Sequence, residues 1–346
     1  MRVFLIILAA ILILGFLFRA QIEAETKVIL LATEEFGSPL RPLDWLSHSP
    51  TYRRVTFEGP SGPIDADLYL PRPLIGTPAT GSEHAIIIAL GVRVPRSAVP
   101  QIRRFAASLA RLGYVTLWPR RRAFVAGRSP TELPSTFVRA FTYLSAQKVV
   151  DRRAISFFGL SVGASTAVVA ASNPQIDRQV HALIFFAGDY NLFQYLVSLA
   201  TEKDSYRGHE VPWHPSPDAI RQVKQILIAE HAPAISRIFS ATTPAQARHI
   251  LNAAPASERQ RLRAFDPAAH IRQYHAPTFI LDDTGDQYVP YVESEKLKAA
   301  LPPGQVRGWL LTDLFQHVLP QVGNLPHLVP GLLRFNAFAY SAFRYL

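Results

Sequence analysis

Residues 154–171 read Ala-Ile-Ser-Phe-Phe-Gly-Leu-Ser-Val-Gly-Ala-Ser-Thr-Ala-Val-Val-Ala-Ala: an apolar strand, a sharp bend, then a helix of small and branched residues. A strand that turns into a helix through Gly-x-Ser-x-Gly needs both of its glycines. A Cβ at Gly159 or Gly163 would meet the neighbouring strand or the start of the helix. The bend also holds Ser161 at the strand-to-helix corner, in a sparsely populated backbone region. Beyond it, the opening turn of the helix offers free N–H groups to a developing negative charge. Ser161 is therefore a candidate nucleophile, because a serine hydroxyl reacts only when the fold presents it this way.

The remainder of the chain has the rhythm that such a corner requires. Tyr52–Phe57 and Ile64–Leu70 alternate on either side of Gly59-Pro-Ser-Gly62, which predicts a hairpin. Continuous apolar runs at His84–Leu90, Tyr114–Trp118, Ala154–Phe158, Val180–Ala187, Thr278–Leu281 and Val306–Leu311 predict buried strands. Helical spacing falls between them at Gln101–Leu112, Phe137–Gln147 and Glu293–Leu301. From Asn191 to Ala276 the strands cease. Helical stretches at Ile220–Ile228 and Ala245–Ala253 lie among Pro212, Pro215, Pro217, Pro233 and Pro244, which predicts a helical cap inserted at about 191–276. The expected architecture is α/β, with a doubly wound, mostly parallel sheet over residues 52–346.

Upstream, Val3–Phe18 is uninterrupted apolar sequence between Arg2 and Arg19. A helix of that length spans about 24 Å, short of the roughly 30 Å of a bilayer core. No clean small-x-small cleavage site follows it, so residues 1–25 read as an uncleaved anchor in preference to a cleaved leader. The positive-inside tendency would then place the catalytic domain on the exported side, periplasmic or extracellular; cleavage would make it secreted. Residues 26–51, with Pro39, Pro42 and Pro50, read as a linker.

The chain carries 36 Lys and Arg against 26 Asp and Glu, a formal charge of +10, but its arginines are scattered without interleaved aromatics. No nucleic-acid partner is expected from that pattern. The chain has no cysteine, which excludes disulfides, thiolate metal sites and a catalytic thiol. His209 and His214 lack a third ligand at metal spacing, so neither metal nor cofactor is expected.

A serine nucleophile needs a base, and the base needs an orienting carboxylate. Asp286 follows a buried strand within Leu281-Asp-Asp-Thr-Gly-Asp-Gln-Tyr-Val-Pro290, and His317 lies just beyond the last strand. In an open α/β sheet these loops gather above the carboxyl edge, where Ser161 also sits. With the order Ser, acid, His, the chain resembles the α/β-hydrolases of the esterase, lipase and dienelactone-hydrolase type over residues 52–325.

The resemblance implies a Gly-x-x-Asp-x-x-Val-Pro motif after the seventh strand. Val289 and Pro290 match it and Asp286 falls on the acid, but Asp283 occupies the glycine's place. Asp283 therefore competes, as does Asp282 more weakly, and Asp189 after the sixth strand is a third competitor. His317 is preferred to His327 as base. The oxyanion hole would use the N–H groups of Val162 and Val92. Leu90-Gly91-Val92 retains the family's glycine but has leucine where the family often has histidine.

Arg93, Arg96 and Arg120–Arg122 rim the same edge. They read as ordinary solvated arginines rather than as a cationic mouth. Phe193, Tyr195, Tyr206 and Trp213 of the insertion are assigned to packing of the cap before an acyl pocket. Phe335, Phe338, Tyr340, Phe343 and Tyr345 are assigned to the core. The function expected is hydrolysis of small-molecule carboxylic esters with hydrophobic acyl groups, the N-terminal segment contacting membrane. The alternatives are a catalytically silent scaffold, or amidase or acyltransferase chemistry on the same triad.

Overall fold

A computed structural model of the chain describes residues 19–35, 41–72, 82–91, 94, 96–120, 130–320 and 325–346. Helices α1 (Arg19–Glu35) and α2 (Pro42–Leu46) precede a hairpin of β1 (Thr51–Gly59) and β2 (Gly62–Leu70). Alternation then begins with β3 (Glu83–Leu90), α3 (Val99–Arg111), β4 (Val115–Pro119), α4 (Leu133–Ser145), β5 (Val150–Leu160), α5 (Val162–Ala171) and β6 (Val180–Phe186).

The cap follows, with α6 (Leu192–Thr201), β7 (Lys203–Tyr206), β8 (His209–Pro212), α7 (Pro217–Ala229), α8 (Pro233–Ser236), α9 (Pro244–Ala253), α10 (Ala256–Arg263) and α11 (Pro267–His270). The chain returns to the sheet through β9 (Thr278–Asp283), α12 (Val292–Ala300) and β10 (Val306–Thr312). A small hairpin, β11 (Phe315–Gln316) and β12 (Leu319–Pro320), leads to the terminal helix α13 (Leu325–Tyr345).

Eight strands form one sheet in the order β1-β2-β4-β3-β5-β6-β9-β10. β1–β2 and β2–β4 pair antiparallel, and every other pair is parallel. The strand order reverses at β3, which lies between β4 and β5. Such a switch point opens a crevice at the carboxyl ends of the strands, where ligands bind in open α/β sheets.

Both faces of the sheet are covered, which is why its central strands could be read as continuous apolar runs. On one face α4 and α5 pack on it through Phe137, Phe141, Ala164 and Val168, meeting Phe157 and Phe185 of the sheet. On the other, Leu109, Phe338 and Leu30 meet Ile86, Ile184 and Phe279.

Two expectations need correction. The start of the stretch read as a linker, residues 26–35, shares one helix, Arg19–Glu35, with the end of the segment read as an anchor. Its Ala, Leu and Glu content favours helix, and Ala24, Val28 and Leu30 are buried. The cap is not wholly helical either, since Lys203–Tyr206 and His209–Pro212 form an antiparallel hairpin. Its turn is Arg207-Gly208, both at positive φ, and strands of four residues are too short to show alternation. The apolar run Val3–Phe18 lies outside the described residues. Among the described residues no helix is long and apolar enough to cross a membrane.

Candidate active site

Ser161 leaves β5 with φ 56° and ψ −138°, the strained corner expected of the bend. Its N–H donates to the Phe186 carbonyl at 2.9 Å, which fixes the corner to the neighbouring strand. The glycines are required sterically. A Cβ on Gly159 would lie 2.5 Å from Ala164 Cα, and one on Gly163 would drive into the Ala89 carbonyl of β3. Val162 is the first residue of α5, so its N–H has no intrahelical acceptor. Gly91 lies against it: a Cβ there would sit 3.7 Å from Val162 N and 3.8 Å from Gly163 N. Val92, the expected second oxyanion donor, lies outside the described residues.

His317 occupies the first position of a two-residue turn between β11 and β12, whose pairs are Phe315–Pro320 and Gln316–Leu319. Its φ is 58°, as tight hairpin turns require. Its Nδ1 lies 2.6 Å from Asp286 Oδ2, with the Asp286 side chain fully buried and that of His317 12% exposed. The other oxygen, Oδ1, accepts the N–H groups of Tyr288 at 2.6 Å and Val289 at 3.1 Å. The carboxylate is therefore fixed from both ends, one oxygen by its own loop and the other by the imidazole. Tyr288 stacks on the His317 ring, with centroids 4.8 Å apart and planes at 23°.

The competing carboxylates are engaged elsewhere. Asp283 accepts Gly285 N–H and Phe315 N–H, each at 2.8 Å, and so ties the end of β9 to the hairpin that bears His317. Asp282 is buried and bonded by the Ser294 hydroxyl, and burial pushes its carboxyl well above the ordinary range. Asp189 accepts the Ser165 hydroxyl at 2.7 Å, and burial pushes it up to about 6. His327 falls within α13, outside the hairpin, and its side chain lies beyond the described ones. Ser161, Val162, Tyr288 and His317 all line one cavity of about 580 Å³.

Solved structures superpose over most of the chain. A puromycin hydrolase does so at 16% identity and a TM-score of 0.55, covering 89% of this chain and 39% of that one. A 2,6-dihydroxy-pseudo-oxynicotine hydrolase matches at 16% and 0.53, covering 84% and 68%, and DcsB, in complex with its substrate analogue, at 17% and 0.51, covering 84% and 100%. The fold is that of the α/β-hydrolases. The chain spans about two fifths of the puromycin hydrolase and of a Pyrococcus horikoshii acylaminoacyl peptidase, at 39% and 41%. No protein-family model matches the sequence, and no curated protein resembles it in sequence.

Within this α/β-hydrolase fold the cap grips the loop that carries Asp286 at three consecutive carbonyls. Trp213 Nε1 donates to the Asp286 carbonyl at 2.7 Å, Ser216 N–H to that of Gln287 at 2.8 Å, and the Tyr195 hydroxyl to that of Tyr288 at 2.7 Å. Tyr195 and Trp213 are among the aromatics that the sequence places in the cap core. They do pack there, and both also hold the loop. Tyr288 carries one signal in the sequence, its place two residues after Asp286. Its hydroxyl bonds Asp218, whose carboxyl is held below the usual range by the Gln222 amide and this hydroxyl.

The arginine rim also needs correction. Arg120 is not a solvated side chain: it donates to both oxygens of the buried Asp67 at 3.1 and 3.0 Å, and Arg103 adds a third bond at 3.1 Å. Burying Asp67 left a charge needing partners. Arg93, Arg121 and Arg122 lie outside the described residues. The C-terminal aromatics pack as expected, Phe338 against Phe279 and Phe335 against Phe315. Among the described residues no group of His, Asp and Glu is placed to hold a metal.

Proposed function

We propose that this chain is a serine hydrolase that cleaves carboxylic esters with a hydrophobic acyl group. The observation that carries the reading is the 2.6 Å contact of His317 with the buried Asp286, on a cavity whose wall includes the strained Ser161. As Ser161 Oγ attacks the carbonyl carbon, His317 Nε2 takes its proton. Asp286 stabilises the imidazolium through the Nδ1–H. The oxyanion is received by the Val162 N–H together with that of Val92. Collapse expels the alcohol, protonated by His317, and leaves an acyl-Ser161. Water, deprotonated by the same histidine, then releases the carboxylic acid.

The apolar wall formed by Leu90, Val94, Leu160 and Val318 supports a hydrophobic acyl group. The match to hydrolases in fold supports hydrolysis more broadly. The domain is tethered by Val3–Phe18 and works on the exported side of a membrane. The test is turnover of a nitrophenyl ester beside the matched anilide. Ester hydrolysis abolished by Ser161→Ala supports the reading. Equal turnover by Ser161→Ala would sink it, and faster anilide cleavage would reassign it to amides. For the tether, full-length protein should stay with membranes through carbonate extraction; a soluble product starting near Ala20 or Ala24 would show a cleaved leader.

A further inference from the structure

The cavity does not end at the catalytic groups. Its lining includes Ile86, Ile88 and Leu90, alternate residues on one face of β3, and Ser161 at the adjoining end of β5. Alternate residues share a face, so the space runs down the sheet surface instead of lying only above its edge. From Leu90 back to Ile86 that is about 13 Å along the strand. It continues to Leu346, whose carbonyl is bonded by His84 near the start of β3. The lining therefore runs from the nucleophile along this face of the sheet to residues near the start of β3, where Ile86, Leu109 and Ala342 close it as buried core.

Its outer wall is made by three helices: α1 through Ala32, α3 through Phe105 and Leu109, and α13 through Ala339 and Ala342. Alanines stand where larger side chains would close the space against the sheet. At about 580 Å³ the cavity has the size of a ligand site, in the range of about 300–1,000 Å³, whereas protein cores hold few voids larger than a water. Away from the mouth, Glu35 is one of the few ionisable groups on the wall, and burial pushes its carboxyl up to about 7. An apolar cavity of this volume, with Ser161 in its wall and a lining that follows one face of the sheet, suits a hydrocarbon chain better than a peptide or a sugar.

Building on the hydrolase reading above, we propose that this passage is an acyl tunnel, and that the substrates are esters of medium- to long-chain fatty acids. The carbonyl sits at Ser161 and the hydrocarbon tail lies between the sheet and α1, α3 and α13. For each methylene that enters such a tunnel, kcat/KM should rise by about fourfold until the tunnel is full.

The experiment uses the full chain and two readouts. The first is kcat/KM for nitrophenyl acetate, hexanoate, decanoate and palmitate with wild type, Ala32→Phe and Ala342→Phe. The tunnel predicts an optimum at decanoate or beyond in wild type. It also predicts a shift to shorter esters in the two variants, read as a fall in the ratio of decanoate to acetate kcat/KM. The second is saturable binding of a fluorescent long-chain fatty acid to Ser161→Ala, displaced by decanoate but not by acetate, which does not depend on catalysis.

A flat chain-length profile, or fatty-acid binding unaffected by both phenylalanines, would overturn the tunnel. Loss of all ester turnover with fatty-acid binding intact would instead count against the hydrolase reading alone. Should either variant fail to fold, the wild-type profile and the displacement of the probe decide the matter.

Discussion

Four aspartates compete on paper for one role, and their hydrogen bonds separate them. Asp286 gives one oxygen to His317 and the other to its own loop, whereas Asp283 spends both oxygens on backbone N–H groups. Replacing the orienting carboxylate of a Ser-His-Asp triad by an amide lowers kcat by about 10⁴-fold, so Asp286→Asn is expected to fall by that order. Asp283→Asn should act differently. Its new NH2 would face a donor it cannot accept from, destabilising the protein by about 1–3 kcal/mol while leaving most of kcat. Measured kcat and melting temperature for the two variants check this. A larger kcat loss in Asp283→Asn would show the acid to be misassigned. Asp286 was legible from its motif, but the choice among the aspartates rested on bonds between segments 31 residues apart.

Among the elements, the strand–bend–helix corner is the least tolerant of change. Gly163 sits against the β3 backbone, so Gly163→Ala must displace Ala89 or the start of α5, and soluble yield and melting temperature should both drop sharply. A variant melting within a degree of wild type would contradict the packing described. The cap is the second sensitive element, since Trp213 and Tyr195 hold the Asp286 loop by its carbonyls. Trp213→Phe keeps the aromatic packing and removes one bond. We expect kcat to fall severalfold, and at most about 10²-fold, with KM little changed. A change in KM alone would assign Trp213 to substrate contact.

The strands were legible because both faces of the sheet are buried, leaving continuous apolar runs. Helix α1 and the cap hairpin were not. The Ala, Leu and Glu of α1 favour helix, but what holds α1 and the cap hairpin is packing on α13 and a turn at positive φ, and neither is marked in the local sequence. The cap's grip on three successive carbonyls was equally invisible, because backbone acceptors leave no mark in a sequence.

At the scale of the molecule, several buried carboxyls are raised by burial: Asp189 and Asp266 to about 6, Glu35 and Glu293 to about 7. Their folded values exceed those of the unfolded chain, so the folded state binds more protons across that interval. Their contribution to stability is complete below about pH 4 and is lost as pH rises through 6 to 7. Asp189→Asn keeps an acceptor for Ser165 and removes one such group. Its melting temperature relative to wild type should therefore rise between pH 5 and pH 8. A difference constant with pH would contradict the burial assigned to Asp189.

The proposed chemistry requires Ser161 to be a nucleophile activated by His317 and Asp286. The most direct measurement is reaction of the full chain with a short-chain fluorophosphonate, followed by mass mapping of the adduct. One phosphonyl group is expected on Ser161, formed quickly in wild type and absent in Ser161→Ala. No adduct on wild type, or one that persists in Ser161→Ala, would contradict it.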